Sequence, residues 1–422
     1  MDHVNNPKGV ARWWRWLWLP LLLLGNIPIL ETELGWLSPQ HAVFSVISDI
    51  NYLGNAAFAS IQGRTPYVLG FMTGSLHGLR FVYPPLSLGL AIPPTVLGMG
   101  GYDWGFSLEV AILGGVGLWL IRIWQKDWVP GFWVPILVLM AAAGPILLTR
   151  LDAVQAVLLV GMVAAMKQRR IALSLAWLGL AILIKETVVL LTIPWLWWWV
   201  NATWTDWRGR WRGLALGMLP SLLILAGVEV WSKGHVGASV LASLSRGLEI
   251  ESLPAAVALA LRGWWAVHTY HLAIGSLDIR TVTALPLVIS FIVLGVGGLI
   301  WGLRQGVGEH NLATACAFVM GVSLVATPVL SPQFLLVFLA LLAVAVMVEL
   351  PTQRNPLLLE GLFIGLGTQI EFPYMFEPII HLQMLGLIFL WGRNLLLVLV
   401  TWQLGRALNG TLGATDPERL VI

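Results

Sequence analysis

Long apolar runs alternate with short clusters of charge along this chain. Trp16–Leu30, Trp104–Trp124, Val129–Thr149, Ala153–Met166, Ile171–Ile184, Val188–Val200 and Leu214–Val230 make up the first series. Thr281–Leu303, Ala313–Pro328, Phe334–Val348, Leu357–Ile370 and Ile379–Arg393 make up the second. Runs near 17–25 residues are the unit of a membrane-crossing helix, so the pattern predicts an all-α polytopic membrane protein of roughly a dozen transmembrane helices. Several runs are short for a full crossing, and kinked or half-buried helices are expected there. The run 84–100 carries Pro84, Pro85, Pro93 and Pro94 and is expected to re-enter or double back. On that reading the basic clusters Arg122–Lys126, Lys167–Arg170 and Arg208–Arg212 fall on one side, as the positive-inside rule requires.

The first interruption of this pattern is Gln40–Leu86. At about 100° per residue, Val43, Val46, Ile47, Ile50, Leu53, Ala57 and Ile61 share one face of a helix, while Ser45, Ser48, Asp49, Tyr52 and Asn55 fall on the other. Gly63 and Pro66 end the helix. The segment reads as an amphipathic helix in the membrane interface, apolar side down, with a carboxylate on its wet side. The organisation that follows is a single membrane domain over 1–408, with a first outer loop at 31–83, a second outer segment at 231–280 and a short cytoplasmic tail at 409–422.

Composition agrees with this. Charged residues are 11% of the 422, against roughly 25% in a soluble domain, and the mean hydropathy is +0.82. The 24 tryptophans suit two membrane–water boundaries. The Trp195–Trp199 cluster in particular reads as interfacial anchoring. A single cysteine, Cys316, excludes a disulfide framework. The net charge of +3, held in short loops, suits orientation in a membrane and not nucleic-acid binding. Arg12 and Arg15 before a Leu-rich run read as a signal-anchor with a cytoplasmic N-terminus.

Charges next to spans cost roughly 2.5–3.5 kcal/mol each, so those that remain call for a reason. The outer ends of the predicted spans keep Asp49, Arg80, Arg150, Asp152, Lys185, Glu186, Arg246, Glu249 and Glu251. Cations gathered with carboxylates at one depth suggest an anion held at the outer leaflet. The plainer alternative is local pairing, Arg150 with Asp152 and Lys185 with Glu186.

Several motifs in order resemble a known family. S-D-I-N-Y-L-G-N-A (48–56), G-R-T-P-Y (63–67) and F-V-Y-P-P-L (81–86) resemble the first outer loop of GT-C membrane glycosyltransferases. They are most similar to glycosyltransferase family 87, which includes polyprenyl-phosphate-mannose-dependent mannosyltransferases. R-L-D-A-V-Q-A-V-L-L-V (150–160), G-L-A-I-L-I-K-E (179–186), R-G-L-E-I-E-S-L-P-A (246–255) and L-S-P-Q-F-L (330–335) resemble later elements of that family. Two positions depart from it: Phe334 stands where such motifs often carry Tyr, and Glu186 follows Lys185, where it could pair with it.

The resemblance implies a GT-C-like bundle in the plasma (cytoplasmic) membrane. The reaction it implies is transfer of a mannose-like hexose from a polyprenyl-phosphate donor to a lipid-linked or glycan acceptor at the outer face. It makes Asp49 the catalytic base. The residues fit such chemistry, since a lipid phosphate already leaves well and one carboxylate suffices to take the acceptor's proton. The alternative for Asp49 is a solvated helix cap. Lys185, Arg150, Arg246 and Arg80 are the candidate ligands of the donor phosphate. Tyr52, Ser45, Tyr83, Gln333 and His77 are candidates to orient substrate, with a structural turn an equal reading for Gln333. His268 and His271 lack the further partners a metal needs, so no metal and no cofactor is expected. The competing function classes are a transporter or flippase of lipid-linked sugars, and a non-catalytic binder of them.

Overall fold

The computed structural model describes residues 11–27, 48–68, 80–125, 128, 131–237, 241, 247–261, 267–273, 276–281, 284–304 and 306–410. Two helices without a polar face form its centre. In Phe334–Val348 every side chain from Phe334 to Met347 is buried, and Asp152–Lys167 is buried from Asp152 to Met166 except at Leu158. A helix apolar on every side has no face for water and must be surrounded. These two pack against each other, with Trp133–Ala142 and Leu312–Ala326 against the first and Ile171–Ile184 and Gly98–Trp124 against the second.

The rim is different. Trp207–Trp231 and Ala284–Leu303 bury almost none of their length and turn leucine, isoleucine and valine outward. Apolar surface on that scale is stable against lipid, not water. Four stretches are long and apolar enough to cross a bilayer: Pro85–Trp124, Trp207–Trp231, Ala284–Leu303 and Met384–Gly410. Phe334–Val348 and Pro351–Ile380 make a fifth if counted as one span, bent by 115°. The chain is an integral membrane protein with a helical fold. Close approach between helices runs through glycine, as is usual where lipid gives helices no hydrophobic reason to associate. A Cβ on Gly217 would lie 2.6 Å from the Ala172 carbonyl oxygen, and one on Gly302 would lie 2.2 Å from the Phe318 ring.

Within 85–97 the chain forms the short helix Pro85–Ala91 and the 3₁₀ turn Pro93–Leu97. Seven helical residues span about 10 Å, so the crossing itself is made from Gly98 onward. Between the spans lies one small antiparallel sheet, ordered β1 (Leu248–Glu249), β3 (Ser276–Thr281), β2 (Val267–Ala273). The Glu249 N–H donates to the Pro328 carbonyl at 2.9 Å, which ties the sheet edge to the turn before Gln333.

Three expectations change. The first-loop helix is described over Ser48–Ile61. Of the face expected to lie on lipid, Ile50, Leu53 and Ala57 meet protein instead, buried with Leu88, Ala91 and Tyr102, while Ile61 is exposed and Val43, Val46 and Ile47 lie outside the described residues. Tyr102 is the reason for Gly54, since a Cβ there would lie 2.8 Å from its ring. The final helix does not stop at Arg393 but runs over Met384–Gly410, because nothing after Arg393 breaks it. Trp195, Trp198 and Trp199 are buried, and the Trp195 indole N–H donates to Ser174 Oγ at 2.9 Å. They pack the bundle instead of anchoring it at an interface, while Trp197 remains exposed.

On the side of the bundle away from Asp49, Glu349 closes the frame. Its carboxylate accepts from the Ala313 and Thr314 N–H groups (3.0 and 2.8 Å) and from Thr314 Oγ1 (2.8 Å), and it binds the Lys167 ammonium. This caps the helix Leu312–Ala326 with a charge of the favourable sign. Glu349→Ala leaves Lys167 and two N–H groups without that partner. It is expected to lower the thermal midpoint of the detergent-purified protein by several degrees, a loss of about 3 kcal/mol.

Candidate functional site

Two cations sit at breaks between helices. Arg150 is extended (φ −135°, ψ 140°) between Ile146–Thr149 and Asp152–Lys167. Lys185 is extended (φ −158°, ψ 132°) between Ile171–Ile184 and the 3₁₀ helix Glu186–Leu191. Two carboxylates sit in first turns: Asp49 in Ser48–Ile61 and Asp152 in Asp152–Lys167. The start of a helix carries partial positive charge, so both acids occupy positions that favour an anion.

The fold joins these four crosswise. Arg150 Nε lies 2.9 Å from Asp49 Oδ2, and the same Nε donates to Gln333 Oε1 at 2.7 Å. Arg150 Nη1 donates to the Thr149 carbonyl at 3.1 Å. Lys185 Nζ is 3.2 Å from each oxygen of Asp152. Local pairing of Arg150 with Asp152 and of Lys185 with Glu186 is thereby replaced by pairing across elements. Two acids face two cations in one narrow cleft, walled also by Tyr83, Ser87 and Leu151.

Neutral groups fix the cations further. Lys185 Nζ lies 4.4 Å from the Phe334 ring centre and 5.3 Å from that of Tyr83, within reach of a cation–π attraction. Phe334 thus lies under the ammonium. The Arg150 guanidinium carbon is 6.0 Å from the centre of the Phe372 ring. Gln155 Nε2 donates to the carbonyls of Ala181 and Lys185, both at 2.8 Å, and Ser87 Oγ donates to that of Ile184. The backbone beneath Lys185 is therefore pinned from two sides.

Of the residues named from the sequence, Asp49, Arg150, Lys185, Gln333 and Tyr83 come together. The Tyr52 hydroxyl donates to the Arg80 carbonyl at 2.6 Å and accepts from the Val82 N–H at 3.0 Å, so it shapes the segment that presents Tyr83. Arg80 meets this group through its backbone, and its side chain does not line the cleft. Ser45, His77 and Arg246 lie outside the described residues, and nothing is described of the side chains of His268 and His271. The sequence reading under-weighted Asp152, which looked like a local partner for Arg150 and proves to be the partner of Lys185. It missed Phe372, which carried no signal beyond its place before a proline.

A second feature adjoins the first. A groove of about 760 Å³ opens between Glu186–Val200, Ala284–Leu303 and Leu312–Ala326, and its walls are almost wholly apolar. Leu190 lies on it, five residues beyond Lys185, and Pro328 lies on it, five residues before Gln333. At about 2 Å per residue along a 3₁₀ helix, Leu190 is on the order of 10 Å from Lys185.

Tyr83 is partly buried, and desolvation, followed by the Asp49 carboxylate, pushes its hydroxyl well above the ordinary tyrosine range. A raised folded value means that this burial stabilises the fold below about pH 10 and ceases to do so as the pH climbs past it. Absorbance titration is expected to show one fewer ionisation-resistant tyrosine in Tyr83→Phe than in the parent protein, and a shallower alkaline loss of stability.

No protein-family model matches the chain, and no curated protein matches its sequence. Among solved structures it is similar to the crystal structure of ArnT from Cupriavidus metallidurans bound to undecaprenyl phosphate, at 16% sequence identity and a TM-score of 0.45, over 95% of this chain and 78% of that one.

Proposed function

We propose that this protein is an inverting, GT-C-type glycosyltransferase of the plasma (cytoplasmic) membrane, with its site at the outer face. It moves a hexose, mannose-like by the resemblance to family 87, from a polyprenyl-phosphate donor to a lipid-linked or glycan acceptor. The observation that carries the reading is the Asp49–Arg150 contact at 2.9 Å, in a cleft that also holds Lys185. One carboxylate that can act as a base stands beside two cations suited to a phosphate.

In this reaction the acceptor oxygen forms its bond to the anomeric carbon as that carbon loses its bond to the phosphate oxygen. The phosphate departs with the electron pair, and configuration at the anomeric carbon inverts. Asp49 takes the acceptor hydroxyl's proton. Arg150 and Lys185 meet the charge that grows on the leaving phosphate. The cleft is narrow and its cations are paired, so the donor phosphate enters by exchange. It takes the guanidinium from Asp49 and leaves that carboxylate to the acceptor. Gln333 holds Arg150 at Nε through the exchange. The apolar groove supports a lipid donor, since it begins a few residues from both Lys185 and Gln333 and its walls are almost wholly apolar.

Two measurements test this. Asp49→Asn is expected to keep the fold and to bind lipid phosphate at least as tightly as the parent protein, while losing about 10²- to 10⁴-fold in transfer rate with purified polyprenyl-phosphate hexose. Full transfer activity in that variant would sink the reading. Val296→Trp, which narrows the groove from an exposed position, is expected to raise KM for long-chain donors more than for short-chain ones.

A further inference from the structure

The motif R-G-L-E-I-E-S-L-P-A has no part in the reaction above, yet its two glutamates are buried, Glu249 and Glu251 being 5% and 3% exposed. Glu251 belongs to a second knot of charge. Arg393 Nη1 lies 2.8 Å from Glu371 Oε1, with both side chains wholly enclosed. Arg393 Nη2 donates to the Glu251 carbonyl and to Asn394 Oδ1, each at 2.9 Å, and Asn394 Nδ2 donates to the same Glu251 carbonyl at 3.3 Å. Burial, then the nearby Glu371 and Glu249, raise Glu251 well above the carboxylate range, with Arg393 acting the other way.

Such a knot is costly to build in an enclosed site, and breaking one partner of it costs more than replacing the whole. Its location suggests what it is for. It fastens the turn 248–252 and the last helix to Glu371, and the next residue, Phe372, leaves helical geometry at φ −123°, ψ 114°. The ring of Phe372 is the one 6.0 Å from the Arg150 guanidinium. From the other side, Glu249 holds Pro328, five residues before Gln333, which accepts from Arg150 Nε at 2.7 Å.

We infer that the Glu371–Arg393 pair, with the Glu251 carbonyl bonded to Arg393, is a positioning site for Arg150. It fixes the turn that sets Phe372 against the guanidinium and so holds Arg150 in the pose that exchanges Asp49 for a phosphate. The inference rests on the reading of Arg150 as a ligand of the donor's phosphate.

The test is the affinity of the detergent-purified protein for farnesyl phosphate, read by calorimetry beside the thermal midpoint. Glu371→Gln and Phe372→Leu are each expected to weaken binding by roughly five- to tenfold. Because both act through one contact, the double variant is expected to be no weaker than about tenfold. Arg393→Lys is expected to fall between wild type and Glu371→Gln. A Glu371→Gln protein with a shifted midpoint but unchanged affinity would make the knot merely structural, and so would effects that multiply in the double variant. Should Glu371→Gln not purify, Phe372→Leu and Arg393→Lys decide by the same criteria. Arg150→Gln separates the two layers of the argument: unchanged affinity there would overturn the phosphate reading, and this inference with it.

Discussion

A charge in an apolar frame must find an opposite charge at hydrogen-bond distance, and this requirement organises the site end of the molecule. Arg150 and Lys185 are buried, at 5% and 6% exposure. Each interrupts a helix, because a regular helix would carry its side chain along the helix flank and away from the partner. The partners stand at the starts of other helices, Asp49 on the first-loop helix and Asp152 on a central one. The two ion pairs therefore do structural work: they bind the first loop to the bundle and Ile171–Ile184 to Asp152–Lys167. The apolar packing of Ile50 and Leu53 brings the first-loop helix to the bundle, and the ion pair with Arg150 sets its end.

In the proposed reaction the same pairing prepares the cleft for an anion. With two carboxylates against two cations the resting cleft is balanced, and no unpaired charge has to be kept in a poorly solvated place. A phosphate that displaces one carboxylate keeps that balance at the cations while its own charge is met by Arg150's fork of donors. The displaced carboxylate must then be solvated or engaged by the acceptor hydroxyl. In the proposed reaction, binding of donor and release of base are thus one event. The apolar groove near the cleft would hold the donor's chain while that exchange takes place.

The sequence made the elements legible where periodicity and length agree. Ile171–Ile184 and Phe334–Val348 are found at their expected bounds, because apolar runs flanked by charge have few ways to be read. The last helix was cut short at Arg393, since an arginine in an apolar run looks like an end. Glu371, which neutralises it within the bundle, is twenty-two residues away in the chain. The first-loop helix was legible as amphipathic, but periodicity marks an apolar face without saying whether lipid or protein covers it. At the site, residue types and depth pointed to Asp49, Arg150, Lys185 and Gln333. Which acid takes which cation did not follow, because neighbours in sequence compete with neighbours in space, and only the turns at Arg150 and Lys185 decide.

Exposure separates the acids that remain as candidates for the base. Asp152 has a side chain 4% exposed, and both its oxygens lie 3.2 Å from Lys185. Glu371 is wholly enclosed beside Arg393. Neither can meet an acceptor hydroxyl without first breaking a buried pair, which is costly. Asp49 is different: its side chain is 27% exposed, and the guanidinium approaches it at Oδ2. An ion pair that must open once per turnover needs one member that water can reach, since water lowers the cost of separation. The Asp49–Arg150 pair meets that condition with a buried cation and a partly exposed acid. The Asp152–Lys185 and Glu371–Arg393 pairs, closed on both sides, are built to stay shut. In the proposed reaction this division makes Asp49 the acid that moves and the other two the frame against which it does so.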